Sequence, residues 1–96
     1  MTEESRKTVR VRVTGRVQGV CFRAWAVEQA YVLKLDGWVR NRRDGSVEAV
    51  FSGSIQAVDD MIRRCWDGPP AAAVENVGAT LEESPAQPGF RQAPTA

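Results

Sequence analysis

Histidine is absent from this sequence and cysteine is scarce, with only Cys21 and Cys65 present. Without an imidazole, a Ser-His-Asp triad and a Cys-His pair are excluded, and the common zinc sites are badly weakened. Two cysteines cannot complete a zinc site without other ligands, and in a reducing compartment we expect both to remain free thiols. The composition therefore predicts chemistry that uses no metal and no histidine base.

Long apolar runs and a strong net charge are missing as well. No stretch approaches the ~20 apolar residues that a membrane span requires, so we expect no membrane association. Residues 1–7 are charged and no apolar run follows them, which argues against a signal peptide and predicts a cytoplasmic protein. The formal net charge is +1, so the whole molecule has no strong attraction for nucleic acid.

Length and composition predict one compact domain. The chain has 96 residues, of which 43% are hydrophobic and 26% are charged, and this is enough for one core and too little for two. We interpret residues 1–7 as a flexible tail in front of a single domain that runs to residue 96. We also expect the protein to be a monomer.

Hydrophobic periodicity predicts a strand, a loop and a helix in the first part of the chain. Residues 8–14 alternate between valines and arginines, which is typical of a strand with one buried face. Residues 15–21 contain two glycines and are predicted to form a loop. Residues 22–34 follow with a helical apolar face, which comprises Phe22, Ala26, Ala30 and Leu33.

A hairpin and a second helix are predicted next. Residues 38–41 and 46–51 pair as two short strands, because Asp44-Gly45 supplies the positive φ that a tight hairpin turn requires. Ser54 is a good N-cap for a helix that ends before the Gly68-Pro69-Pro70 sequence. The apolar face of this helix is predicted to comprise Ile55, Val58, Ile62 and Cys65.

The end of the chain completes the predicted fold. Residues 74–82 alternate again, and a short segment surrounds Phe90. The order of elements is βαββαβ, or βαββαββ if both late segments pair. Two helices over one face of an antiparallel sheet form an α+β, ferredoxin-like sandwich. Because this fold hosts many functions, a function has to be inferred from a site.

The loop at residues 15–21 is the strongest candidate for a site. It joins the end of a strand to the start of a helix, where unpaired N–H groups and the helix dipole attract anions. Gly15 and Gly19 allow the backbone to curl around an anion, and Arg23 lies in the first helical turn, within reach of the same place. The alternative is a plain strand-to-helix connection with a solvated arginine.

Other phosphate chemistries match the sequence less well. A Walker A loop needs a longer spacing than that between Gly15 and Gly19, and a lysine that is absent here. Cysteine-dependent phosphatases carry an arginine six residues after the cysteine, whereas Val27 occupies that position after Cys21. We interpret Cys21 as a small packing residue and keep a reactive thiol as the alternative.

Two motifs resemble the signatures of the acylphosphatase family. Residues 15–23, GRVQGVCFR, resemble the first signature, G-x-V-Q-G-V-x-[FY]-R. Residues 37–53, GWVRNRRDGSVEAVFSG, resemble the second, G-[FYW]-[AVC]-[KR]-N-x-x-x-G-x-V-x5-G. Both match at every fixed position, and the likeness covers the chain from about Val9 to Phe90. One departure is Arg42, since some relatives have Thr or Ser directly after the asparagine.

The resemblance implies hydrolysis of an acyl phosphate to a carboxylate and inorganic phosphate, with no cofactor. By motif position, Arg23 resembles the phosphate-binding arginine of the family and Asn41 its water-orienting asparagine. The resemblance also implies a cradle of backbone amides, supplied by Val17, Gln18, Gly19, Val20, Cys21 and Phe22. The small-molecule substrate would then be an acyl phosphate, and phosphate would be both product and inhibitor.

Two alternatives from other classes stay open at this point. A ferredoxin-like RNA-binding module would use Arg40, Arg42 and Arg43 with exposed aromatic residues, but no RNP1 motif is present and the net charge is close to zero. For Asn41 alone, the alternative to a role in a site is that it simply ends a strand before a hairpin. A carbamoyl-phosphate-binding domain of the hydrogenase-maturation carbamoyltransferases would require a far longer chain than one ending at Ala96.

Overall fold

Two helices pack on one face of a five-stranded sheet in the computed structural model, which describes residues 5–96. The strand order is β4-β1-β3-β2-β5. This is the ferredoxin-like α+β fold that the sequence predicts. The elements are β1 (Arg6–Arg16), α1 (Phe22–Val32), β2 (Asp36–Asn41), β3 (Val47–Ser54), α2 (Ile55–Cys65), β4 (Ala73–Glu82) and β5 (Phe90–Gln92).

The segment around Phe90 does pair, and it pairs in parallel. β5 lies beside β2 with Gly37 opposite Phe90 and Val39 opposite Gln92, whereas the other three strand pairs are antiparallel. The predicted antiparallel sheet is thus confirmed except at this edge. β4 runs opposite to β2, and the chain reverses direction after β4, so β5 runs in the same direction as β2.

The first strand begins earlier than predicted. Arg6 and Lys7 pair with Ser54 and Gly53 of β3, so the end of the predicted flexible tail belongs to the sheet. A search for alternating apolar and polar residues does not detect these two positions, because Arg6 and Lys7 are both polar. Residues 1–4 of the predicted tail lie outside the described residues.

The core lies between the sheet and the helices. Val11, Phe51 and Ala26 are fully enclosed there, and the predicted face of α1 is confirmed. The buried stripe of α2 is Val58, Met61 and Cys65, and Ile55 is 38% exposed. The three buried residues are spaced by three and four positions, and because the helix advances 100° per residue this spacing places Met61 on the core-facing side. Ile62, which the sequence predicted for this side, lies at its border. The N-cap is confirmed: Ser54 Oγ accepts from Ala57 N–H at 3.1 Å.

The opposite face of the sheet, here called the open face, has no helix over it. Its side chains are largely polar, and Thr8 and Ser52 hydrogen-bond across β1 and β3 at 2.8 Å. Neither helix within residues 5–96 is long and apolar enough to cross a membrane. The functional residues therefore have to be sought at the edges of the core, where loops meet the helix termini.

Candidate active site

The loop between β1 and α1 is shaped by left-handed residues. Gly19 has φ 73° and Cys21, the N-cap of α1, has φ 66°. Val17 anchors the start of the loop, since its side chain is 1% exposed and belongs to the core. Residues in the left-handed region interspersed along a short loop turn successive N–H groups toward one side, which is the geometry of an anion-binding concavity.

The N-terminus of α1 is left without protein partners. The side chain of Cys21, the N-cap residue, accepts no capping hydrogen bond, and the first turn of α1 carries no acidic residue. Within residues 5–96, no protein atom accepts a hydrogen bond from the backbone N–H groups of residues 18–24. These donors add to the positive end of the helix dipole. The local structure is thus a set of backbone donors suited to an anion.

Arg23 lies beside this loop. It lines a cavity of about 340 Å³ together with Gly19 and Cys21. Within the described part of the chain, its guanidinium forms no ion pair with a carboxylate. A cation without a protein counter-ion beside a row of free N–H groups is available to bind a bidentate oxyanion.

Asn41 reaches the same cavity from the sheet. It is the last residue of β2 and pairs with Val47, so its side chain is on the helix-covered face. In addition to this strand pairing, the Asn41 carbonyl accepts a backbone hydrogen bond from Ala96 N–H at 3.0 Å. The carboxamide itself has no hydrogen-bond partner among residues 5–96. It is therefore free to donate to and accept from a small molecule.

Gln18 connects the loop to the hairpin that follows Asn41. Its Nε2 donates to the carbonyl of Arg42 at 2.7 Å and to that of Ser46 at 2.9 Å. The side chain is thus a link between two segments that are distant in sequence. It does not line the cavity, and only its backbone N–H remains as a candidate member of the cradle.

Arg42, the departure from the family motif, points away from the cavity. It alternates with Asn41 along the chain, and its Nη1 donates to Glu48 Oε1 at 3.0 Å on the open face. Arg10 and Arg40 bind the same carboxylate, at 2.6 Å and 2.8 Å. Burial raises the pKa of Glu48, but the hydrogen bonds from Arg10, Arg40 and Arg42 outweigh it and lower the pKa to about 2. The donors of these three arginines are therefore engaged by Glu48 on the open face, away from the anion site.

The open face offers no bare aromatic platform at Trp38. The guanidinium groups of Arg40 and Arg10 lie over its ring, at 4.6 Å and 5.6 Å from the centroid. Cation–π contacts of this kind use the ring faces that a nucleic-acid base would need for stacking. This arrangement does not favour the RNA-binding alternative.

The two cysteines differ in their surroundings. Both are free thiols. Cys21 is exposed at the site, and Cys65, the last residue of α2, is buried on the core-facing side of that helix. Burial alone raises the pKa of Cys65 to about 12. Cys65 is therefore a packing residue, while Cys21 lies close enough to the cavity for its role to require a direct test.

The cavity gathers residues from four parts of the chain. Of the predicted site residues, Gln18 and Val20 do not line it, and the others do. Two lining residues were not predicted from the sequence, Ala24 and Gln92. No local pattern indicates Gln92, because its position depends on the pairing of β5 with β2. The complete lining is Val17, Gly19, Cys21, Phe22, Arg23, Ala24, Asn41 and Gln92.

The fold and the site together define a small α+β domain with a cavity of about 340 Å³ at a helix N-terminus. The family model named Acylphosphatase matches residues 9–92. An acylphosphatase from Rhodospirillum rubrum is 52% identical over 89 residues, which cover 93% of this chain and 98% of that one. The chain belongs to the acylphosphatase family, and it is an enzyme that hydrolyses acyl phosphates.

Solved structures agree with this assignment. An acylphosphatase from Coxiella burnetii superimposes with a TM-score of 0.91 at 36% identity, covering 97% of this chain and all of that one. Full-length HypF in a phosphate- and nucleotide-bound form superimposes with a TM-score of 0.88, but at 21% identity and over 13% of its own length. The second likeness shows a shared fold and nothing about shared activity.

Proposed function

We propose that this enzyme cleaves acyl phosphates by direct attack of water on phosphorus. The backbone of residues 17–22 and Arg23 bind the phosphoryl group, and Asn41 orients the water. The observation that carries this proposal is the convergence, on one cavity, of unpaired loop N–H groups, an arginine without a counter-ion and an unpartnered carboxamide. All three line the same cavity, so one oxyanion and one water molecule can engage them together.

Binding comes from the loop and Arg23. Free N–H groups of the loop, among residues 18–22, donate to the phosphoryl oxygens, and the guanidinium forms a charge-assisted pair with two of them. Negative charge on these oxygens persists through the transition state of phosphoryl transfer. A preorganised positive site therefore stabilises that state without further reorganisation.

Asn41 positions the nucleophile. Its carboxamide is a poor base, but it can accept from and donate to one water molecule. The water oxygen forms a new bond to phosphorus, the bond between phosphorus and the acyl oxygen breaks, and a phosphoryl oxygen takes the proton from water. The products are a carboxylate and inorganic phosphate. The rate enhancement then comes from positioning and charge stabilisation.

The leaving group explains why no acid is needed. A carboxylate departs readily because its conjugate acid has a pKa of about 4. Among residues 5–96, no Asp, Glu or Lys lines the cavity, so this part of the chain supplies no carboxylic acid or ammonium to protonate a poorer leaving group. An alkyl phosphate, which expels an alkoxide, should therefore be a poor substrate.

Inorganic phosphate should occupy the same cradle as the substrate and act as a competitive inhibitor. We further propose that the enzyme works without a metal, as a monomer, in the cytoplasm. Within residues 5–96, no three His, Cys, Asp or Glu side chains form a group that could hold a metal ion. These properties can be checked by inhibition kinetics, by chelation, by size-exclusion chromatography and by localisation.

The decisive experiment is a comparison of substrates. Benzoyl phosphate and p-nitrophenyl phosphate are offered to the same enzyme, with and without EDTA. We expect rapid hydrolysis of the acyl phosphate, little hydrolysis of the ester, and no effect of the chelator. Equal rates on the two substrates, or loss of activity with EDTA, would contradict the mechanism.

A further inference from the structure

We infer that Gln92 is a specificity-determining residue that contacts the acyl group and favours acyl groups carrying a hydrogen-bonding substituent. This inference rests on the proposed function and concerns the part of the substrate that the phosphate loop does not bind. Gln92 belongs to neither signature motif. It enters the cavity only through the pairing of β5 with β2.

The direction of the Gln92 side chain follows from alternation along β5. Phe90 stacks on Phe51 at 5.5 Å, so it points toward the helices. Arg91 lines a separate cavity with Trp38 on the open face. Gln92 returns to the helix-covered face and lines the cavity that contains Arg23 and Asn41. It is the diagonal cross-strand neighbour of Asn41, since it pairs with Val39 two residues earlier.

The backbone of Gln92 is fixed, whereas its carboxamide is free. Gln92 pairs with Val39, and Ala93 N–H donates to the Val39 carbonyl at 2.8 Å. The side-chain amide has no hydrogen-bond partner among residues 5–96. A polar group on a fixed strand and directed into a substrate cavity is suited to recognise one substrate feature.

The cavity has two chemically different walls. The loop wall provides free N–H groups and lies next to Arg23, so the charged phosphoryl group belongs there. The side chains of Ala24 and Gln92, here together called the second wall, contribute a methyl group and a neutral amide to the lining, and no charge. An acyl group needs no charge neutralisation, and it therefore lies against this second wall.

The chemistry of a carboxamide sets the preferred acyl class. It offers one acceptor and two donors, so it pairs with a hydroxyl, an amide or a carboxylate on the acyl group. A purely hydrocarbon acyl group would cover this amide without pairing it, which is unfavourable. The enzyme should therefore discriminate between acyl phosphates of the same shape according to polarity.

The test uses rigid substrates of nearly equal shape. Benzoyl phosphate is compared with 3-hydroxybenzoyl and 4-hydroxybenzoyl phosphate, in the wild type and in Gln92→Leu. For each protein, the kcat/KM of a hydroxylated substrate is divided by that of benzoyl phosphate. The two proteins are then compared by this ratio, so that differences in the intrinsic reactivity of the substrates cancel. We expect Gln92→Leu to lower this ratio roughly three- to tenfold for at least one isomer, mainly through KM.

Two further variants make the result specific. Arg91→Leu changes the adjacent residue on the opposite face and should leave the ratio unchanged. Ala24→Phe narrows the second wall and should raise KM for benzoyl phosphate more than for acetyl phosphate. Inhibition by inorganic phosphate should be the same in the wild type, Gln92→Leu and Arg91→Leu, since phosphate binds at the loop wall.

The outcomes separate this inference from the proposed function. If the ratios in Gln92→Leu stay within twofold of the wild type for both isomers, Gln92 does not select the acyl group, while hydrolysis of benzoyl phosphate still supports the enzyme mechanism. Equal effects of Ala24→Phe on benzoyl and acetyl phosphate would also overturn the inference. If the wild type hydrolyses none of these substrates, the proposed function fails, and the inference fails with it.

Discussion

Arg23 and Asn41 reach one cavity from different elements, and the proposed mechanism gives their side chains different roles. Arg23 comes from the first turn of α1, next to the free N–H groups. Asn41 comes from the end of β2, where its backbone is held on two sides. The cation is suited to the phosphoryl oxygens and the amide to a neutral water.

Arg23→Ala should weaken phosphate binding in both the ground state and the transition state. We expect a higher KM, weaker competitive inhibition by phosphate and a lower kcat, with a total cost of about 3–5 kcal/mol in kcat/KM. Asn41→Ala should lower kcat and leave phosphate inhibition nearly unchanged, because the lost contact is to the nucleophile. Steady-state kinetics with phosphate as inhibitor, together with thermal melts, make the comparison.

Matched variants are available for both residues. Arg43→Ala removes an exposed arginine of the hairpin, and Asn76→Ala removes the only other asparagine, on β4. Both should retain near-parental kinetics. If Asn41→Ala loses phosphate binding as severely as Arg23→Ala, Asn41 belongs to the anion cradle. If it is inactive only because it melts early, its role is to hold the hairpin.

Cys21 should tolerate substitution although it lies at the site. Its backbone is left-handed, so Cys21→Gly is compatible with the loop, and Cys21→Ser keeps the size of the side chain. We expect turnover within about tenfold of the parent for both, since the proposed nucleophile is water. A folded but inactive Cys21→Ser, with a phosphocysteine trapped on the parent enzyme, would replace the water mechanism by a covalent one.

At the scale of elements, the loop and the hairpin have to keep a fixed distance for Arg23 and Asn41 to act together. Gln18 provides that connection through its two hydrogen bonds to Arg42 and Ser46. Without Gln18, the Arg42 carbonyl still accepts a hydrogen bond from Gly45 N–H, and the Ser46 carbonyl still accepts one from Arg42 N–H. Gln18 is therefore a positioning residue whose loss should affect catalysis more than folding.

Gln18→Leu should lower the free energy of unfolding by only about 1–2 kcal/mol, because no carbonyl is left wholly unpaired. The same variant should lower kcat/KM roughly 10- to 100-fold, since small displacements of positioned groups are costly in catalysis. Urea unfolding and steady-state kinetics measure the two effects. Gln56→Leu, an exposed position on α2, is the control. Unchanged activity alongside the stability loss would reduce Gln18 to a purely structural role.

At the scale of the whole molecule, Glu48 joins three strands on the open face. Its carboxylate is nearly buried and accepts from Arg10 of β1 and from Arg40 and Arg42 in and after β2. The pKa of Glu48 falls from 4.5 to about 2, because these hydrogen bonds outweigh the effect of burial. A carboxyl whose pKa is lower in the folded state stabilises the fold above its unfolded pKa.

This stabilisation should be complete above about pH 4.5 and lost as the pH falls toward 2. The shift corresponds to a stabilisation on the order of 3 kcal/mol at neutral pH. Glu48→Gln should be less stable at neutral pH, because Arg40 and Arg42 then lose their carboxylate and Arg10 keeps only Glu82. Its unfolding free energy should also vary less between about pH 5 and pH 2. Urea unfolding over this range checks both effects.

Glu83→Gln serves as the control for the pH series, since Glu83 is exposed and has no ion pair among residues 5–96. It should retain the parental pH dependence. If Glu48→Gln follows the parental curve as well, another carboxyl causes the acid sensitivity, and the network around Glu48 contributes little to stability.

Short-range features of the sequence predicted most of the fold and the centre of the site. Ser54 as an N-cap, the apolar face of α1 and the Asp44-Gly45 turn are local, because each depends on residues within a few positions. The spacing of Gly19 and Arg23 is local in the same sense. Asn41 was assigned only through resemblance, since an asparagine before a turn has an ordinary structural explanation.

What the sequence by itself determined is thus the type of each element, the glycine-containing loop in front of α1 and the family. Tertiary structure alone decided that Gln92 lines the cavity, that Gln18 binds the hairpin and that Arg42 pairs with Glu48. It also decided that β5 runs parallel to β2. The physical reason is that Gln92 and Gln18 contact residues far away in the chain, and that strand register decides which face a side chain occupies. A slip of one residue in strand pairing would turn Gln92 and Glu48 to the other face of the sheet.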